Sequence, residues 1–302
     1  MRLSRKLWLI ALAIFILSGF GASIQSRAGA WDSSSLQSPE MKDSAYHSDM
    51  AQGNNGAYID TSCTSQGYVA VSARSGSRLK FQVLKGDATY NYDLRSDGTP
   101  SIFPLQCGDG TYLLRVMENI VDSKYAELYS TECNVTLDSE FEPFLRPSDY
   151  VFYHKYSQCV KKAQEMAGSS GDELELIGKV YDYVTQNIKY DKDKAATIKA
   201  GYLPSPDETI ATGKGICFDY ASLASAMLRS QGIPTKVIFG YVSPNDVYHA
   251  WNMFYTEQTG WVVVSYEAKG NVWNRMDLTF AAGGAPSSFV GDGSNYAELY
   301  VY

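Results

Sequence analysis

At 302 residues, with 45% hydrophobic and 13% aromatic side chains, the chain can build one large domain or two ordinary ones around a real core, which excludes a chain disordered throughout. Its net charge is −7 at pH 7, and losing residues 1–30 would remove Arg2, Arg5, Lys6 and Arg27 with no acidic group, leaving −11. An exterior that acidic excludes nucleic acid and anionic lipid as partners, because both need a basic face.

The first residues, MRLSRKLWLIALAIFILSGFGASIQSRAGA, combine a basic start, an apolar run from Leu7 to Leu17 and a small-residue cleavage site at Ala28-Gly29-Ala30. This is the pattern of a secretory signal peptide over residues 1–30. The run is shorter than the ~20 apolar residues of a spanning helix, so no membrane span is expected after cleavage, and the expected location is outside the cell or in its envelope. Residues 31–56, rich in Ser, Asp and Gly, read as a flexible polar leader.

From Ala57 to about Leu145 come short runs of strand composition, GYVAVSA, LKFQVL, TYNYDL, TYLLRVM and KYAELYS, separated by GDA, SDG and GDG turns. They predict a small antiparallel β-sandwich over residues 57–145. After Arg146-Pro147 the texture turns helical. Ser148 or Asp149 is placed to cap a helix running to about Ala167, and Leu174, Ile177, Val180, Tyr181, Val184 and Ile188 form an apolar stripe at helical spacing over 172–189. The connection YDKDKAATIKAGYLPSPDETIATGKG is long enough to suggest a loop bordering a site.

Next comes ATGKGICFDYASLASAML, in which Tyr220, Leu223, Ala224, Met227 and Leu228 share one helical face and Gly232 with Pro234 ends the helix. Cys217 falls in its first turn, where unpaired backbone N–H groups and the positive end of the helix dipole favour a thiolate. The preceding Gly-Lys-Gly lacks the GxxxxGK[ST] pattern of a phosphate loop. The chain holds three histidines. His47 sits in the polar leader and His154 in the first expected helix, whereas His249 lies in NDVYHAWNMFYT, a strand following the strand TKVIFGYV. GWVVVSYE and NVWNRMDLTF predict two further strands, with Asp277 near the end of the second, where a carboxylate can accept the histidine N–H and fix its tautomer.

Outside the cytosol Cys63, Cys107, Cys133 and Cys159 can form two disulfides in three pairings, which leaves Cys217 as the odd thiol. No CxxC occurs, so zinc-site spacing is absent. With no neighbouring cysteine to resolve it, Cys217 does not read as a redox centre.

In their order, GKGICFDYASLASAML, YHAWN and WNRMDLTF resemble the core of the transglutaminase-like superfamily over roughly Asp172 to Phe280. The resemblance implies an α+β fold, a papain-like transglutaminase core with helices packed on an antiparallel sheet, filling a catalytic domain over residues 146–302 behind the sandwich. It implies Cys217 as nucleophile, His249 as general base and acid, and Asp277 as the orienting carboxylate. The family's spacing of one strand between HAWN and the aspartate would point to Ser265, four residues after Trp261. Reading GWVVVSYEAKGN as an added hairpin makes Asp277 the match instead. The tryptophan oxyanion donor of animal transglutaminases has no counterpart between Trp31 and Cys217, so the Cys217 N–H is one donor and the second is unassigned. The implied chemistry is acyl transfer at protein or peptide amides through a Cys thioester, giving crosslinking, deamidation or peptide hydrolysis. No metal or organic cofactor is called for, and no loop has the D-x-[DN]-x-[DN]-G calcium pattern. The alternative is a non-catalytic cell-surface binding or envelope protein with a vestigial triad.

Overall fold

A computed structural model of the chain describes residues 40–256, 260–263, 265–266, 273–274, 277–283 and 295–302. The expected signal peptide and residues 31–39 lie outside the described residues.

The N-terminal half is built from strands β1 Gln52–Asn54, β2 Ala57–Asp60, β3 Tyr68–Ala73, β4 Leu79–Lys85, β5 Ala88–Leu94, β6 Ser101–Pro104, β7 Gly110–Val121 and β8 Lys124–Val135. They form two antiparallel four-stranded sheets, in the orders β1-β2-β3-β6 and β5-β4-β7-β8. Alternation in the sequence sets the inner face: Leu79, Phe81 and Val83 of β4 and Tyr112, Leu114 and Val116 of β7 are all buried. Phe103 of the other sheet lies 4.7 Å from the rings of both Phe81 and Tyr92, which closes the sandwich core.

The leader is not free. Lys42 pairs with Glu142, the Ser44 hydroxyl donates to the Pro147 carbonyl at 3.0 Å, the His47 N–H donates to Asp60 at 2.8 Å, and β1 pairs with β2. Residues 42–54 are therefore fastened to the sandwich, because polar side chains that lack an apolar face have found buried carboxylates instead.

The C-terminal half carries helices α1 Gln158–Ala167, α2 Glu173–Asn187, α3 Lys192–Thr197, α4 Pro206–Thr212, α5 Cys217–Ser230 and α6 Leu278–Ala282. Its strands are β9 Lys189–Tyr190, β10 Lys214–Gly215, β11 Thr235–Val242, β12 Val247–Thr256, β13 Gly260–Val263, β14 Ser265–Tyr266, β15 Trp273–Asn274 and β16 Tyr296–Val301. The antiparallel sheet β13-β12-β11-β16 supports α5, every residue of which after Cys217 is buried. The fold is thus mixed α and β, helices against an antiparallel sheet behind a sheet-rich N-terminal region.

Three local expectations need correcting. The first helix starts at Gln158, not near Ser148: Asp149 is taken by the Ile102 backbone at 2.9 Å and by Arg95 at 3.2 Å, and the α1 N-terminus is capped by Asp207, which accepts from the Gln158 and Cys159 N–H groups at 3.0 Å. The long connection after α2 is not loop but contains α3 and α4, each started by a capping side chain, Asp191 and Ser205. All five cysteines are unpaired thiols: Cys63 and Cys159 are buried in different halves, Cys107 sits in the turn before β7, and Cys133 lies on β8.

The two halves share one core. Tyr92 of the sandwich, Tyr150, and Phe218 of α5 form a ring series with centroids 5.5 and 5.2 Å apart, and Tyr302 packs on Tyr150 at 4.7 Å. Buried Arg229 donates to the carbonyls of Thr235, Arg146 and Tyr302 at 2.8, 3.0 and 3.1 Å, tying the end of α5 to β11, the segment after the sandwich and the C-terminal residue.

Candidate active site

Cys217 is the first residue of α5. Ile216 before it is extended, at φ −94° and ψ 175°, so the chain enters the helix abruptly and the Cys217 N–H is one of the orphan donors of the first turn. The Ile216 side chain cannot accept a hydrogen bond. Asp219, fully buried, supplies the cap by accepting from the Ile216 N–H at 2.8 Å. This explains the glycine two residues before the cysteine: a Cβ on Gly215 would lie 2.6 Å from the Asp219 Cβ. Gly213, at φ +61°, ends α4 in the left-handed conformation that glycine favours. Cys217 is partly exposed, whereas Phe218 after it is buried in the ring series.

His249 comes from β12, which lies against α5. Its neighbour in the motif, Asn252, fastens the strand to the helix: the amide donates to the Ala221 carbonyl at 3.0 Å and to the Ser225 hydroxyl at 2.9 Å. Nε2 of His249 bonds Oδ2 of Asp277, and Cys217 lies near enough to the ring to favour its protonation. With Nε2 on the carboxylate, Nδ1 is the ring nitrogen left for a second partner. The imidazole is 4% exposed and stacked on Phe280 at 4.7 Å, so its plane is held. Burial works against its protonation, but the Asp277 carboxylate and then the Cys217 thiol outweigh that and push its pKa up to about 10.

Asp277 does not end a strand, as the sequence suggests; it is the N-cap of α6. Its Oδ1 accepts from the Thr279 and Phe280 N–H groups at 3.0 Å each, leaving Oδ2 for His249, with the Tyr296 hydroxyl donating to it at 3.3 Å. A carboxylate that is 1% exposed and held by two backbone donors has one orientation, and it passes that orientation to the imidazole. Ser265 instead lies in β14 opposite Asn274. Among the described residues, β12 pairs with β13 and β14 with β15, both antiparallel; the expected hairpin segment lies partly outside them.

The structure thus brings together all three residues singled out in the sequence, and leaves His47 and His154 elsewhere. Three contributors had gone unnoticed. Asp219 is visible in the sequence as an acid at the third helical position, a capping-box signal. The phenols of Tyr190 and Tyr248 stand close enough to Cys217 that, after burial, its charge helps to raise them. Tyr190 arrives there because β9 pairs parallel with β10, setting it opposite Gly215, a contact no local pattern announces. Among the described residues no group of three His, Cys, Asp or Glu side chains could hold a metal ion, and no helix is long and apolar enough to cross a membrane.

A helix-start cysteine, a buried strand histidine and a buried capping aspartate define a thiol–imidazole–carboxylate site. Residues 132–266 match the model of the Transglutaminase-like superfamily. Cys217 and His249 fall inside the matched span, and Asp277 lies beyond its end. A UPF0252 protein of Methanocaldococcus jannaschii is 40% identical over 117 residues, 37% of this chain and 31% of that protein, so the match spans about a third of the relative's length. Among solved structures, a putative cysteine protease from Cytophaga hutchinsonii is similar at 17% identity over 76% of this chain and 80% of that one, with a TM-score of 0.36. Red sea bream transglutaminase is similar at 13% identity over 70% of this chain and 48% of its own, with a TM-score of 0.28.

Proposed function

We propose that the protein is an exported thiol enzyme that transfers acyl groups at protein or peptide amides through a thioester on Cys217. The observation that supports this most is a buried imidazole bonded to a fixed carboxylate and close to the helix-start thiol. The proton of Cys217 rests on His249, which holds it well above neutral pH, and the sulfur attacks the amide carbonyl carbon, forming a C–S bond and an oxyanion beside the Cys217 N–H. The oxyanion collapses, the C–N bond breaks, and the leaving nitrogen takes the proton from His249. The resulting thioester is then opened by an amine, which crosslinks, or by water, which deamidates a glutamine or completes peptide hydrolysis. Export rests on the N-terminal signal pattern, and protein substrates at the cell surface follow from that location.

The test incubates the protein and its Cys217→Ala variant with a glutamine-containing protein, with and without a primary amine, and reads products by intact mass. Amine incorporation or a one-dalton gain that needs Cys217 assigns transfer or deamidation, and chain cleavage that needs it assigns proteolysis. Identical products from both proteins across several unrelated substrates contradict the proposal.

A further inference from the structure

Asp219 does more than cap a helix. It is 0% exposed, it sits two residues after Cys217 in the same helical turn, and a bare carboxylate there would set a negative charge against a forming thiolate. Its two oxygens are both claimed from outside the helix. Oδ2, which accepts from the Ile216 N–H, also meets Lys194 Nζ at 2.8 Å, and Oδ1 accepts from the Tyr202 hydroxyl. Lys194 in turn donates to the Tyr202 oxygen at 2.6 Å, and its ammonium lies 4.5 Å from the centre of that ring. Burial, together with the Asp219 contact, keeps the Tyr202 phenol protonated and donating. Lys194 belongs to α3 and Tyr202 to the turn after it, so the connection between α2 and α5 supplies both groups.

We infer that Lys194, Tyr202 and Asp219 are positioning residues for the nucleophile: Asp219 sets the first turn of α5, Tyr202 holds the carboxylate in place, and Lys194 cancels its charge so that it does not oppose the Cys217 thiolate. The inference rests on the reading of Cys217 as the reactive thiol. Lys194 and Tyr202 both precede α4 in the connection whose length marks it in the sequence.

The test measures the rate at which iodoacetamide labels Cys217 at pH 7, resolved from the other cysteines by peptide mapping. It needs no substrate, so it stands whether or not acyl transfer is ever observed. Lys194→Met keeps the stem and removes the charge, and it has room, since Lys194 and Tyr202 line an open cleft of about 420 Å³. The expected slowing is roughly tenfold for Lys194→Met and about threefold for Tyr202→Phe. Lys194→Met combined with Asp219→Asn removes both charges while the amide oxygen still caps Ile216, and it returns to within about twofold of the parent, a recovery that a merely structural lysine would not show. Parent-like rates in both single variants, or a double variant as slow as Lys194→Met alone, overturn the inference. If Lys194→Met does not melt cooperatively, Tyr202→Phe decides: slowed labelling supports the positioning role, and parent-like labelling overturns it.

Discussion

Among the described residues, two places bring a cysteine, a histidine and an aspartate together. At one, Asp277 bonds Nε2 of the buried His249 ring, which leaves Nδ1 for the nearby Cys217. At the other, Asp60 Oδ2 and Cys63 Sγ lie 3.1 and 3.8 Å from the same atom, Nδ1 of His47, with the Ser62 hydroxyl 3.3 Å from it as well. A single nitrogen cannot be oriented by a carboxylate and also accept a thiol proton, so the second group is not wired for proton transfer. Exposure is reversed too: Cys63 is 6% exposed while the His47 side chain is 43% exposed, whereas the buried imidazole of His249 faces a partly open thiol. Identical residue types thus make a candidate active site in one place and a structural knot in the other, in which Asp60 accepts from the His47 N–H, the Ser62 N–H and the Ser62 hydroxyl.

The sharpest way to break this comparison is by substitution in both groups. Cys217→Ala is expected to abolish turnover and His249→Ala to lower kcat/KM by about a thousandfold or more, while Cys63→Ala and His47→Ala stay within about twofold, all measured on the substrate that the mass assay identifies. Next in size are the carboxylates. Asp277→Asn keeps the cap on α6 but presents the wrong partner to Nε2, and kcat falls by roughly a hundredfold. Asp60→Ala leaves kcat unchanged and lowers stability by about 2–3 kcal/mol in denaturant unfolding, because buried donors lose their acceptor.

The two groups also respond to opposite ends of the pH scale. His249 in the folded protein holds its proton up to about 10 against an ordinary value of 6.5, so its contribution to stability is complete below about 6.5 and is lost as the pH rises towards 10. Asp60 is opposed by burial but held below its ordinary value of 3.8 by the hydrogen bonds from Ser62 and His47, so its contribution is present above 3.8 and disappears as the pH falls below that. Thermal melts across pH should lose the alkaline decline in His249→Gln and soften the acid decline in Asp60→Asn. The smallest effect expected is for Asn252→Ala: loss of the two bonds to α5 costs about 1–2 kcal/mol and leaves Cys217 in place.

Local signals carried most of the site into the sequence. Cys217 at a helix start, His249 in an alternating strand and Asp277 two residues before a threonine each follow from short-range patterns, and the apolar stripe of α2 is equally local. What the sequence did not disclose was tertiary. Asp149 looks like a helix cap but is claimed by Ile102 and Arg95 of the sandwich, and the true cap of α1, Asp207, comes from a segment that reads as loop. The leader looks free because its partners, Glu142 and Asp60, are distant in sequence or buried only after folding. The cysteines suggested pairing because their number and expected export permit it, while the structure leaves all five as free thiols.

The most direct test of the central claim is the selectivity of a limiting amount of iodoacetamide at pH 6, where an ordinary thiol is almost entirely protonated. Peptide mapping should find one adduct, on Cys217, and His249→Ala should lose that preference. Labelling spread evenly over the accessible cysteines, or labelling of Cys217 that is indifferent to His249, would contradict the account.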